Sequence, residues 1–175
     1  MPLLPVIIKQ EPDLLLRQIA KMVPLTDCGA PWLKKLVSGM STTLAACPDG
    51  VALAAPQIGE SWRLFIVGER AFPKRDTAPH WDHDLVFINP VITRRSRRQA
   101  ELTEGCLSVR HRYGTTVRPE RVSVEAYDQN GHKFVRHASG LLAQVFQHEI
   151  EHLDGIIFID HARNLHEVPS NEKQN

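Results

Sequence analysis

The stretch Ser139-Gly140-Leu141-Leu142-Ala143-Gln144-Val145-Phe146-Gln147-His148-Glu149-Ile150-Glu151-His152-Leu153-Asp154-Gly155 decides how this chain folds. From Leu141 to Leu153 it holds neither proline nor glycine, Ser139 stands where an N-cap would, and Asp154-Gly155 is a usual helix stop. The spacing predicts a helix. His148 and His152 are four residues apart, so both imidazoles share one face and reach a single metal ion, with Glu149 flanking an open coordination position. A solvated face in a chain with 9 His is the plainer alternative. A catalytic metal takes three protein ligands plus water, which leaves one ligand to find. His161, His166 and Glu167 follow close behind the helix, while Glu104-Gly105-Cys106-Leu107-Ser108 offers an upstream thiol beside a glycine, where the backbone can approach another element.

Working outward, the 175 residues leave room for one sizeable core and no second full domain. Leu33, Leu36, Val37, Met40 and Leu44 recur at helical spacing between Pro31 and the break at Pro48-Asp49-Gly50, which makes an N-terminal amphipathic helix. Val51 to Ala55 is apolar and small. Arg63 to Val67 and Leu85 to Asn89 read as strands, and the polar, proline-broken stretch from Gly68 to Asp84 reads as a loop. Val122, Val124 and Ala126 alternate inward with Ser123, Glu125 and Tyr127 outward, and Asn130-Gly131 turns the chain into a second run at Phe134 and Val135. Both turn residues tolerate positive φ, so this is a hairpin. Ile156 to Ile159 reads as a last strand, and the polar tail over 164–175 as frayed. The expected fold is α+β: a single domain over 1–163 with antiparallel strands packed around a central metal-binding HExxH helix.

Composition excludes several classes. With 21 Lys and Arg against 20 Asp and Glu, the net charge of +1 gives no overall pull toward nucleic acid or an anionic membrane surface. Cys28, Cys47 and Cys106 are too few for a disulfide framework, which points to a reducing, cytoplasmic setting, and Cys28 and Cys47 read as packing residues. Pro2 to Ile8 lacks the basic flank and length of a signal peptide, and no window approaches the roughly 20 apolar residues of a membrane span. A soluble protein is expected. Arg94, Arg95, Arg97 and Arg98 cluster around Ser96, either as a solvated face or as a contact with RNA. His80 with Trp81-Asp82-His83-Asp84 is either a polar surface loop or a second metal site.

Three segments in order resemble the motifs of the peptide deformylase family. Gly50-Val51-Ala52-Leu53-Ala54-Ala55-Pro56-Gln57 is similar to GxGxAAxQ, Glu104-Gly105-Cys106-Leu107-Ser108 to EGCLS, and Gln147-His148-Glu149-Ile150-Glu151-His152-Leu153 to QHExxHL. The opening Pro12-Asp13-Leu14-Leu15-Leu16-Arg17 is family-like as well, so the likeness runs to about Asp160.

The resemblance implies a hydrolase that removes the N-formyl group from the N-terminal formyl-methionine of new proteins. Its metal would be held by Cys106, His148 and His152: Fe(2+), with Ni(2+), Co(2+) or Zn(2+) as substitutes. Water held and acidified by that ion would be the nucleophile, and Glu149 the general acid and base. Gln57, through its side-chain amide, and Leu107, through its backbone N–H, would face the oxyanion. Val51, Ala52, Leu107 and Val145 would line the substrate site, although ordinary core packing is an equal reading of Val145. Glu104 would support the metal loop, partnered by Arg118. Ala52 stands where the family has glycine and its methyl would crowd the substrate backbone; Arg110 stands where many members have proline. The implied partners are N-formyl-methionyl nascent peptides and a transient ribosome contact, for a monomer with no specific nucleic-acid ligand. An HExxH zinc endopeptidase and a catalytically silent deformylase-like binding protein are the alternatives. Cys106→Asp is expected to abolish hydrolysis, measured as formate release; surviving activity would move the third ligand downstream.

Overall fold

The computed structural model describes residues 8–72 and 85–169. Helix α1, Pro31–Ala45, begins on a proline whose missing N–H has no intrahelical partner in any case. Strands β1 (Ala52–Ala54), β2 (Leu64–Val67), β3 (Leu85–Arg95), β4 (Gln99–Cys106), β5 (Val109–Pro119), β6 (Arg121–Tyr127) and β7 (Lys133–Ser139) follow, then helix α2, Gly140–Leu153, and strand β8, Arg163–Glu167. All named pairings are antiparallel. One sheet has the order β1-β2-β3-β6-β7 and the other β4-β5-β8.

The five-stranded sheet is covered on both faces, which explains why β2 and the start of β3 are unbroken apolar runs rather than alternating ones. Phe65, Val67 and Phe87 point toward α2, where they join Val124, Ala126, Val145 and Phe146. Phe65 stacks on Phe87 with centroids 4.6 Å apart, and Phe146 closes on Phe87 at 4.8 Å. The other face sends Leu64, Ile66 and Ile88 against Leu33, Val37, Met40 and Leu44 of α1. Each such side chain contributes about 1.5–3 kcal/mol of burial. A smaller cluster of Leu16, Val109, Ile157 and Phe158 ties the three-stranded sheet to the chain beyond α2, and Cys106 packs against it.

Several expectations change. Ile156 to Ile159 forms no strand: Gly155 turns the chain at φ 75°, and Phe158–Asp160 is a single 3-10 turn in which the Asp160 carboxylate accepts the Ile157 N–H. The tail does not begin at 164, because β8 pairs with β5 through Arg112↔Glu167, Tyr113↔His166 and Thr115↔Arg163. All five side chains of β8 are exposed, so backbone bonds hold it and no hydrophobic pattern announces it. Ser139 occupies the N-cap position of α2 without a side-chain capping bond. Ser123 is buried rather than outward, its hydroxyl 2.8 Å from Nδ1 of His137. Strand β3 continues past Asn89 to Arg95, with register irregularities on either side of Val91. His80 with the Trp81-Asp82-His83-Asp84 segment, and Pro2 to Ile7 of the opening apolar run, lie outside the described residues.

Gly155 is needed for both its dihedral and its space, since a Cβ there would lie 2.6 Å from the Arg17 carbonyl oxygen. Gly155→Ala is expected to destabilise the fold by about 2–4 kcal/mol in urea unfolding.

Candidate metal centre

Two elements bring the donors together. Helix α2 carries His148 and His152 one turn apart, both facing the sheet, with ring centroids 4.9 Å from each other. Cys106 ends β4 at the turn into β5, where the register shifts between Gly105 and Cys106. Gly105 is required there, because a Cβ would sit 2.5 Å from the Tyr113 ring. The Cys106 thiol comes 3.1 Å from Nε2 of His152, and one ligand atom from each of Cys106, His148 and His152 lies within 4.8 Å of the others. A thiolate with two imidazoles suits a divalent transition metal.

The electrostatics prepare the donors. Burial raises the Cys106 thiol, but His152 and His148 overcome it and bring the pKa down to about 5, so the group is thiolate at neutral pH. Burial also disfavours a charged His148, yet Cys106 and Glu104 hold its proton well above the ordinary range. A divalent cation taken up at His148 would have to displace that proton. Nδ1 of His148 lies 3.4 Å from Oε1 of Glu104, which orients the ring and leaves Nε2 for the metal.

Glu104 is held in turn by Arg118. The guanidinium donates to both Glu104 oxygens at 2.8 and 3.0 Å and to both Glu151 oxygens at 2.9 and 2.7 Å. Oε2 of Glu151 also lies 3.1 Å from Nε2 of His161. A relay thus runs from His161 through Glu151, Arg118 and Glu104 to His148. Motif reading gave Glu151 no role within HExxH and offered His161 only as a downstream ligand; the fold makes them neighbours in this relay. The same relay occupies His161, and His166 stacks against Tyr113, so neither downstream histidine joins the donor cluster.

Glu149 is buried with one carboxylate oxygen lacking a hydrogen-bond partner among the described residues. Burial pushes its pKa up to about 7, with the neighbouring Cys106 and Glu104 charges adding to the shift. Gln57 is buried beside the thiol. Its Oε1 accepts the Ala54 N–H at 2.8 Å, which aims Nε2 at Ser108 Oγ, 3.2 Å away, and at Cys106 Sγ, 3.6 Å away. The segment Lys9 to Glu11 braces this wall: the Lys9 and Glu11 N–H groups donate to the Gln57 and Ser108 carbonyls, and Gln10 Nε2 donates to the Leu107 carbonyl at 2.9 Å. Ser108, wholly buried, is a further residue that motif reading passed over. Val145 and Ala52 lie in the cluster between sheet and α2, with Val51 packed against it, whereas Leu107 packs with the α1 side. Ala52, like Val145, is buried in that cluster.

A half-buried thiolate and two imidazoles beside an elevated carboxyl, set between a helix and antiparallel sheets, form a donor set of the kind a metal-dependent hydrolase uses. Comparison with known proteins gives the particular one. The family profile for polypeptide deformylase matches residues 5–168. A peptide deformylase of Mesorhizobium japonicum is 41% identical over 165 residues, which is 94% of this chain and 87% of that protein. Among solved structures, a peptide deformylase from Legionella pneumophila superimposes with TM-score 0.78 at 38% identity, covering 91% of this chain and 87% of the other. A Met-Ala-Ser-bound class I type b peptide deformylase from Acinetobacter baumannii gives TM-score 0.81 at 32% identity over 92% and 99% of the two chains. This chain belongs to the polypeptide deformylase family, and its activity is metal-dependent hydrolysis of the N-formyl group of formyl-methionyl peptides.

Arg118→Ala strands the buried Glu104 carboxylate and leaves the part-exposed Glu151 with His161 alone. It should cost about 3–5 kcal/mol of stability and weaken metal retention by about 10–100-fold, measured by metal analysis after dialysis against a chelator. Arg118→Lys will restore only part, because one ammonium cannot form two forked contacts. The Glu104 pKa, raised by burial but brought from 4.5 down to about 2 by His148 and Arg118, fixes a sign. Its stabilisation is full above about pH 4.5 and is lost as pH falls toward about 2, so acid unfolding should fall in that window and lose this component in Glu104→Gln.

Proposed function

We propose that Cys106, His148 and His152 hold a single Fe(2+) ion, replaceable by Ni(2+), Co(2+) or Zn(2+), and that Glu149 moves the protons of deformylation. The observation that carries this reading is the convergence of those three donors within 4.8 Å beside a buried carboxylate oxygen with no other partner among the described residues. When bound, the ion supplies a Lewis acid that acidifies water and polarises the formyl carbonyl. The Glu149 carboxylate takes a proton from water and delivers it to the departing amine nitrogen. Its pKa of about 7 suits both directions near neutrality.

Gln57 Nε2 and the Leu107 N–H stabilise the oxyanion. Gln57 is prepared by its bond from Ala54, and the Leu107 turn is fixed through its carbonyl by Gln10. Donors already oriented cost no reorganisation when charge develops. Among the described residues strand β1 is an edge strand, so an extended peptide can pair along the backbone of Ala52. Val51, Val145 and Leu107 supply apolar walls for the methionine side chain. The Met-Ala-Ser complex of the Acinetobacter relative supports a peptide of that kind as the occupant. The domain is proposed as a cytoplasmic monomer that meets formyl-methionyl chains in transient contact with the ribosome; among the described residues no helix is long and apolar enough to cross a membrane. The endopeptidase alternative lacks support for its third ligand: His161 and His166 are engaged elsewhere, Glu167 sits on β8 opposite Arg112, and the donor cluster among the described residues contains none of the three.

The test is formate release from formyl-Met-Ala-Ser with iron kept reduced. Glu149→Ala should lower kcat by about 10²–10⁴ with metal content unchanged, and Gln57→Leu by about 10²–10³. Formate release by the unsubstituted chain no greater than by Glu149→Ala would overturn the assignment.

A further inference from the structure

The strand registers gather positive charge at one place outside the metal centre. Strand β3 pairs with β6 through Arg94↔Ser123 and Arg95↔Val122, and β6 pairs with β7 through Arg121↔Ser139 and Ser123↔His137. These pairings bring Arg94, Arg95, Arg121 and His137 to the wall of one open groove of about 490 Å³. Among the described residues no carboxylate lines it. The nearest acid in sequence, Glu120, is taken by Arg98 at 2.9 Å. Among the described residues, the guanidinium groups of Arg94, Arg95 and Arg121 make no ion pair and no hydrogen bond. The net charge of +1 conceals this concentration.

We propose that this groove binds the phosphodiester backbone of RNA. Arg94 and Arg121 lie on neighbouring strands, offset diagonally, at a backbone spacing of about 7–8 Å. That separation suits successive phosphates on one strand better than a single small anion. Forked guanidinium groups match phosphate oxygens. His137 is oriented through Nδ1 by Ser123, and its Nε2 remains for a further contact. Ser139, at the N-cap of α2 with no capping bond, puts a free hydroxyl on the rim and the positive end of the helix behind it. Among the described residues no Phe, Tyr or Trp lines the groove and His137 is the one ring on its wall, so phosphate contacts dominate and the binding is expected to be blind to sequence and tolerant of duplex. The choice of RNA over other polyanions rests on the deformylase reading, because formylated chains leave the ribosome across an RNA-rich surface.

Anisotropy of a labelled 20-base-pair RNA duplex, titrated with the full metal-loaded chain, tests this. Three phosphate contacts predict affinity falling by about 40-fold between 50 and 200 mM KCl. Arg94→Glu/Arg95→Glu/Arg121→Glu should weaken binding at 50 mM KCl by at least about tenfold, and Arg121→Gln alone should lower the salt slope by about one. Arg110→Glu, outside the groove, should leave binding unchanged, and all three variants should release formate from formyl-Met-Ala-Ser at the unsubstituted rate. Undiminished RNA binding by the triple variant would overturn the proposal. So would Arg-dependent binding to phosphatidylglycerol vesicles without binding to RNA. If the unsubstituted chain releases no formate yet binds RNA through these arginines, the deformylase reading fails and the groove stands.

Discussion

Two carboxylates, Glu104 and Glu151, share one guanidinium inside this protein, and the metal centre depends on that arrangement. Glu104 belongs to β4, two residues before Cys106; Glu151 belongs to α2, one residue before His152. Arg118, on β5, joins both with four short bonds. The hairpin that presents the thiol and the helix that presents the imidazoles are therefore fixed to each other by charge as well as by packing. Burying three charges is costly, and it is offset only because every hydrogen-bonding direction toward the pair is used. The return is geometry: the spacing between thiol and imidazoles is set by a clamp that cannot slide.

Around that clamp, the five-stranded sheet acts as a wall with helices on both sides. The Phe65, Phe87 and Phe146 contacts set the height of α2 above the sheet, and hence how far His148 and His152 reach toward β4. Gln147 adds a lateral constraint by donating from the helix to the Pro119 carbonyl at 3.1 Å. On the far side of the thiol, the Lys9 to Glu11 segment fixes Gln57 and the Leu107–Ser108 turn with three bonds. Packing sets one coordinate of the site and hydrogen bonds set the others.

What could be read from the sequence follows from which interactions leave a local pattern. The helices, β2 and the Asn130-Gly131 hairpin have periodicity or turn chemistry, and they fall where expected. The donors were legible because HExxH and EGCLS are compact. Strand β8 was not, because a strand with five exposed side chains carries no alternating hydrophobic pattern. Glu151 and His161 escaped for another reason: their roles exist only through partners distant in the chain. At Ala52 a motif shows that a methyl replaces a hydrogen but not what surrounds it; the residue is buried in the cluster that also holds Val145.

The bond from Gln10 to the Leu107 carbonyl spans 97 residues, the Gln57 contact with Cys106 spans 49, and the Cys106 contact with His152 spans 46. No two walls of the site are neighbours along the chain. During synthesis the thiol at position 106 is made well before either imidazole, so it cannot meet its co-ligands until α2 exists. Contacts of such separation form late in folding, after loop closure has been achieved. Competence to chelate is thus a property of the completed fold, and a chain interrupted before His152 would carry the thiol without the pocket that governs its chemistry.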